Sequence, residues 1–198
     1  MAILKLKNVR LSFPDLFEAV QFEGQGPFSY RAAFLMPEKH AVMLQQADGS
    51  FKSTTLRAVI DAITAEAWKG KAGAILKTLW GNPQKCCWYD GNLKEYDGYA
   101  DNFVLSSSRS LEKGRPVVFD RDRTPLTAAD GRPYAGCYVN AAVELWVQDN
   151  KYGKGIRSTL RGVQFYKDGD AFTAGTPLNP DEFDDLGADE EEAAADLL

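Results

Sequence analysis

From Cys137 to Val147 every odd position is apolar: Cys137, Val139, Ala141, Val143, Leu145 and Val147. A period of two is the mark of a strand with one buried face. The even positions Tyr138, Asn140, Ala142, Glu144 and Trp146 mix rings with polar groups. Asp149 to Gly155 has the Asn, Asp and Gly content of a turn. On the return, Ile156 and Leu160 share one face, and Arg157, Thr159 and Arg161 the other. Gly162 breaks the parity, after which Val163 and Phe165 are the apolar pair; a glycine at a phase change predicts a bulge. Burying both apolar sets on one side places Tyr138, Trp146, Arg157 and Arg161 together on the opposite face. Rings and guanidinium groups on one sheet face suit stacked bases and phosphates. They equally suit a cross-strand ladder that only stabilises the sheet.

The same reading predicts the remaining elements. Leu4 and Leu6 alternate with lysines, then the phase slips at Asn8 to Val9, Leu11 and Phe13. This gives a strand over about residues 2–13, irregular near Asn8 and ended by Pro14, with a loop over 14–27. Phe28 to Met36, which contains Arg31, reads as a second strand. Pro37 suits the first turn of a short helix carrying His40. After a turn at Asp48-Gly49, Ser53 or Thr54 caps a helix with Leu56, Val59, Ile60 and Ile63 on one stripe, and Ala74 to Trp80 extends the helical region. Residues 81–100 read as a long loop bearing Trp88, Tyr89, Tyr96 and Tyr99, rings that either clamp bases or pin the loop to the body. Phe103 to Ser108 and Val117 to Phe119 complete the strands.

The charge adds a division. The net charge is −5, yet nine of the 28 acids lie in residues 181–198, which hold no Lys or Arg. The other 19 acids against 23 bases leave residues 1–180 at +4. The pattern predicts a domain over 1–173, followed over 174–198 by a linker and a disordered acidic tail. The tail residues Asp189, Glu190, Glu191, Glu192, Asp196, Leu197 and Leu198 are candidates for holding partner proteins. Tethered near a basic groove, the acids also compete with DNA phosphates; a purely solubilising tail is the other reading.

Several chemistries find no support. His40 is the sole histidine and the cysteines are Cys86, Cys87 and Cys137, so no zinc spacing or disulfide framework emerges. The G-K-G-I of residues 153–156 lacks the spacing of a phosphate loop. Asp120 and Asp122 form a D-x-D pair able to meet Mg²⁺, or a self-neutralising strand edge. No cofactor, metal or enzymatic reaction is expected. The N-terminus lacks a signal peptide's apolar region and no apolar run spans a membrane, so a cytoplasmic location is expected.

Many short strands with one helical excursion predict a mainly β, α+β domain, an OB-like barrel of five or six strands with a helical insertion. Its DNA-binding candidates are Tyr138, Trp146, Arg157 and Arg161 on the hairpin face and Lys151, Tyr152 and Lys154 at its turn. Trp88, Tyr89 and Tyr96 on the long loop and Arg31 on the second strand complete the set. Four blocks carry a resemblance: Y-A-G-C-Y-V-N-A-A-V-E at 134–144, K-Y-G-K-G-I at 151–156, L-R-G-V-Q-F at 160–165 and K-D-G-D at 167–170. They resemble the core of a phage-encoded single-stranded DNA-binding protein family with an OB fold and an acidic C-terminal tail. The resemblance implies protection of single-stranded DNA during phage replication, recombination or repair, in the host cytoplasm. It also implies replication or recombination proteins as tail partners, and leaves a homo-oligomer open. The tail is similar to those of bacterial and phage single-strand binders, which often end in an aromatic residue, whereas this one ends in Leu197-Leu198.

Overall fold

The structure, a computed structural model, describes residues 1–173; the expected linker and acidic tail over 174–198 lie outside the described residues. Strands β1 (Ala2–Phe22) and β2 (Gln25–Met36) form a first hairpin, β3 (Ala41–Gln45) and β4 (Phe51–Thr55) a second. Helices α1 (Leu56–Trp68) and α2 (Ala72–Leu79) follow, then β5 (Trp88–Asp90), β6 (Phe103–Ser110) and β7 (Val117–Phe119). The last hairpin is β8 (Tyr138–Asn150) with β9 (Gly153–Lys167).

Strand β1 is long enough to serve two neighbours. Its first half pairs with β8 and its second half with β2. Strand β2 pairs with β6, β6 meets β9 at a parallel bridge between Ser108 and Thr159, and β9 pairs with β8. Five strands thus close in the order β1-β2-β6-β9-β8, the OB-like barrel with a helical insertion predicted from the pattern. Closure leaves these strands without a free edge. The β6–β9 seam, thin in backbone pairing, is reinforced inside the barrel by Ser107 and Ser158, whose hydroxyls lie 2.6 Å apart.

Parity explains the core. Val139, Ala141, Val143 and Leu145 of β8 are buried, and Leu4, Leu6, Val9 and Leu11 of β1 join them. The phase slip at Asn8 is a real irregularity. Asn8 has φ 53°, the β1–β8 register shifts between Leu6 and Val9, and the Asn8 amide donates to Asn140 Oδ1 at 3.0 Å. The predicted bulge is also present: Val143 faces Leu160 and Ala142 faces Gly162, so Arg161 is the extra residue. Helix α1 is capped by Thr55, whose side chain accepts from the Ala58 amide, one position beyond the expected cap. Its Leu56, Val59, Ile60 and Ile63 are buried in the barrel's core cluster.

Three expectations are corrected. Pro14 does not end β1, because the β1–β2 register shifts between Ser12 and Asp15 and no ladder N–H is required there. Residues 37–46 form a turn and β3, not a helix; Val42 alternates with exposed Ala41 and part-buried Met43, and β3 pairs with β1 and β4. His40 Nε2 lies 2.9 Å from the Lys7 carbonyl oxygen. The segment 81–100 contains β5, which pairs with β6.

Cys86, Cys87 and Cys137 are free, buried thiols. Burial pushes the first two above the ordinary thiol range and Cys137 up to about 11. A thiol reagent at about pH 8 is therefore expected to label the native chain slowly and all three thiols of the denatured chain at once. Prompt native labelling would show that the core opens readily.

Candidate nucleic-acid interface

The barrel's outer face carries a band that crosses four strands. Arg31 of β2 faces Ser108 of β6, Ser108 faces Thr159 of β9, and Thr159 faces Glu144 of β8. Laterally paired residues point to the same face, and three strand steps of ~4.8 Å span ~14 Å. Two pairs further along β8 and β9, on the same face, Trp146 stands opposite Arg157. Trp146 is half-buried, and its indole N–H donates to Thr159 Oγ1 at 3.1 Å. The Arg157 guanidinium is also held, donating to Gln148 Oε1 at 2.9 Å and to the Gln84 carbonyl at 2.6 Å. Both side chains are thus held by hydrogen bonds within the protein.

The other end of the band is aromatic. Arg31 lies 5.1 Å from the Phe22 ring centre and donates to Ser29 Oγ. At the β1 irregularity Phe13 is held at φ 48°, half-exposed, with its ring edge-to-face against Tyr96 at 4.9 Å. Two acids lie in the band. Glu144 faces Thr159, and Asp15 faces Arg31. Burial raises the Asp15 pKa above the usual carboxylate value despite the opposing pull of Arg31.

The predicted residues do not all gather here. Trp146, Arg157, Arg31 and Tyr96 do. Lys151 and Tyr152 occupy the β8–β9 turn, where Tyr152 is 79% exposed. Lys154, near the start of β9, is ion-paired with Asp149 near the end of β8. Arg161 is exposed at the bulge, without an opposite residue on β8. Tyr138 shares the parity of Trp146 but lies eight residues away, ~26 Å along the strand. Its ring is flanked by Lys167 (4.7 Å) and Arg10 (5.8 Å) and covered by the backbone near Gly169. Trp88 and Tyr89 are corrected outright. At 1% and 7% exposure they are core side chains, Trp88 packed on Phe103 and Tyr89 against Tyr99 and Val104, so neither offers a ring face to a base. Phe13, Phe22, Ser108 and Thr159 were missing from the predicted set.

Two other features of the surface have their polar groups engaged internally. A shallow groove of about 320 Å³ lies over β8 and β9 between Lys5, Lys7 and Phe119. Its amides bond within the protein, Asn140 to Asn8 and Gln164, and Gln164 to the Arg121 carbonyl. Asp120 pairs with Arg132, and Asp122 accepts from the Thr124 amide. Among the described residues no group of three His, Cys, Asp or Glu is placed to hold a metal ion.

Comparison with known proteins identifies the family and the fold. The family described as Enterobacter phage Enc34, ssDNA-binding protein, matches residues 2–196. Protein p50 of Acyrthosiphon pisum secondary endosymbiont phage 1 is 49% identical over 190 residues, covering 96% of each chain. Two solved structures of the bacteriophage Enc34 single-stranded DNA-binding protein are similar in fold. The complex with ssDNA has TM-score 0.58 and 24% identity, over 86% of this chain and 89% of that one. The C-terminal truncation has TM-score 0.57 and 26% identity, over 86% and 88%. The match over nearly the whole length places the chain in the Enterobacter phage Enc34 ssDNA-binding protein family.

Proposed function

We propose that this protein binds single-stranded DNA with little sequence preference, along the band from Phe13 and Arg31 to Trp146 and Arg157. The observation that carries this reading is the lateral continuity of Arg31, Ser108 and Thr159, with Trp146 bonded to Thr159. OB barrels use this outer face, strands two and three of the barrel, with the loops beside it. Here those strands are β2 and β6. Rings serve any base, because every base has a π-face, and hydroxyls and guanidinium groups serve the backbone. The relatives named for single-stranded DNA support the same ligand. Its role is the protection of exposed strands in phage replication, recombination or repair, in the bacterial host cytoplasm. Titration against oligo-dT and a duplex of equal length tests this: salt-sensitive binding of the single strand over the duplex is expected. No binding to either would favour a protein-interaction domain instead.

The acidic tail acts on the same band. The last described residue, Thr173, is fastened to the barrel by donating twice to Asp97 Oδ2, close in sequence to Tyr96. The first tail acid, Asp181, is eight residues on, within ~28 Å at full extension. The tail's carboxylates therefore reach the band and compete with phosphates until DNA displaces them. Asp189, Glu190, Glu191, Glu192, Asp196, Leu197 and Leu198 are then free for replication or recombination proteins. Removing residues 181–198 should tighten oligo-dT binding by on the order of tenfold near 0.01 M salt, where charges act over ~30 Å, and by little near 1 M. Equal affinities across the salt series would dismiss the competition.

A further inference from the structure

The band holds few free cations, and five of the chain's 13 lysines gather beyond one end of it. Trp68, the last residue of α1, donates its indole N–H to Asp149 Oδ2 at 3.0 Å. Arg157 is bonded to Gln148 and to the Gln84 carbonyl, and the Ile156 amide donates to the Lys85 carbonyl at 2.8 Å. These bonds tie the α1–α2 corner, the β8–β9 turn and the 82–86 turn around the Trp146–Arg157 pair. The corner brings Lys69 and Lys71, the 82–86 turn Lys85, and the hairpin turn Lys151 and Lys154, all exposed. Of these five, Lys154 alone is in an ion pair among the described residues. Its ammonium also lies 5.6 Å from the Trp68 ring centre, so the corner and the hairpin turn meet directly.

Lys69 occupies a position that favours glycine. It ends α1 at φ 50° and ψ −131°, where a side chain is strained and glycine is not. Glycine is the very next residue, Gly70, so the sequence has the right residue one place away. A cation placed where glycine would be less strained points to a use for the charge.

We propose that Lys69, Lys71 and Lys85 form a phosphodiester-binding extension of the interface, over which the DNA backbone runs after leaving the Trp146–Arg157 pair. The proposal rests on the single-stranded DNA reading. The lysines contact phosphates as point charges and read no base, in keeping with sequence-tolerant binding. The binding site therefore extends off the barrel onto the helical insertion.

Oligo-dT titrations of the full chain over a salt series test this. Each lost phosphate contact lowers the slope of log K against log salt by about 0.7. Lys69→Gly is expected to lower it by about that amount, and Lys69→Gly with Lys71→Ala and Lys85→Ala by ~2. The melting temperature of Lys69→Gly is expected to equal or exceed that of the natural chain, because the strain is relieved. Weaker DNA binding with undiminished stability separates a ligand contact from a structural role. An unchanged slope in both variants overturns the extension while leaving the band intact. Absence of oligo-dT binding by the natural chain would overturn the underlying reading, and the extension with it. If the triple variant does not fold, Lys69→Gly alone decides.

Discussion

Alanine at Trp146 is expected to weaken oligo-dT binding by about 5- to 150-fold, the ~1–3 kcal/mol of one stacked base. The ring is suited to this because it is already fixed. Its N–H is held by Thr159, Arg157 stands opposite, and the side chain remains partly exposed. A base that stacks there does not have to immobilise the side chain first, so more of the stacking energy appears as affinity. The fold should tolerate the change, since Trp146 lies outside the barrel core. Trp146→Phe refines the test: it keeps a ring and loses the Thr159 bond, so it should retain much of the affinity lost by alanine. Natural affinity in the alanine variant, with folding confirmed by circular dichroism, would return Trp146 to a purely structural cross-strand pair.

The parts of this interface that follow from local parity were legible in the sequence. Alternation in β8 and β9 gave the Trp146–Arg157 face, and Gly162 gave the bulge, because a strand's faces are fixed by its own period. The phase slip at Asn8 was legible for the same reason. The band as a whole was not, because it depends on which strands become neighbours. Arg31 meets Trp146 only through β6 and β9, and the β6–β9 bridge is a parallel contact between residues 51 positions apart. Proline misled twice. Pro14 is accommodated at a register shift within β1 and Pro37 at a turn before β3, and the residue type alone does not separate these placements from a strand end or a helix start. Trp88 and Tyr89 sit among turn-forming residues, which hid the three-residue strand that carries them into the core. Phe13 was read as the last residue of a strand; its left-handed backbone and its contact with Tyr96 are tertiary facts.

Valine at Gly136 is expected to lower stability by on the order of 3 kcal/mol, a fall of roughly 6–12 °C in melting temperature. The reason is the chain's last described segment, which lies against this glycine. Gly136 has φ 101°, and a Cβ there would stand 2.1 Å from the Asp170 carbonyl oxygen and 2.8 Å from the Phe172 nitrogen. Both obstacles are backbone, so no side-chain rotation relieves them. Arg10 fastens the same segment by donating to the Asp170 carbonyl (2.8 Å) and the Gly136 carbonyl (3.0 Å), and its guanidinium lies 4.3 Å from the Phe172 ring centre. Phe172 in turn lies against Gly98 at φ 76°, where a Cβ would fall 2.4 Å from the ring. Gly98→Ala therefore loosens the segment from its other side. Two glycines that serve one contact should not act independently, so the double variant should lose less stability than the two single losses added together. Limited trypsin digestion should cut faster after Lys167 in each variant. An unaltered melting temperature in Gly136→Val would mean that residues 168–173 are not seated on the barrel, and the fastening point of the acidic tail beside Asp97 would be lost with them.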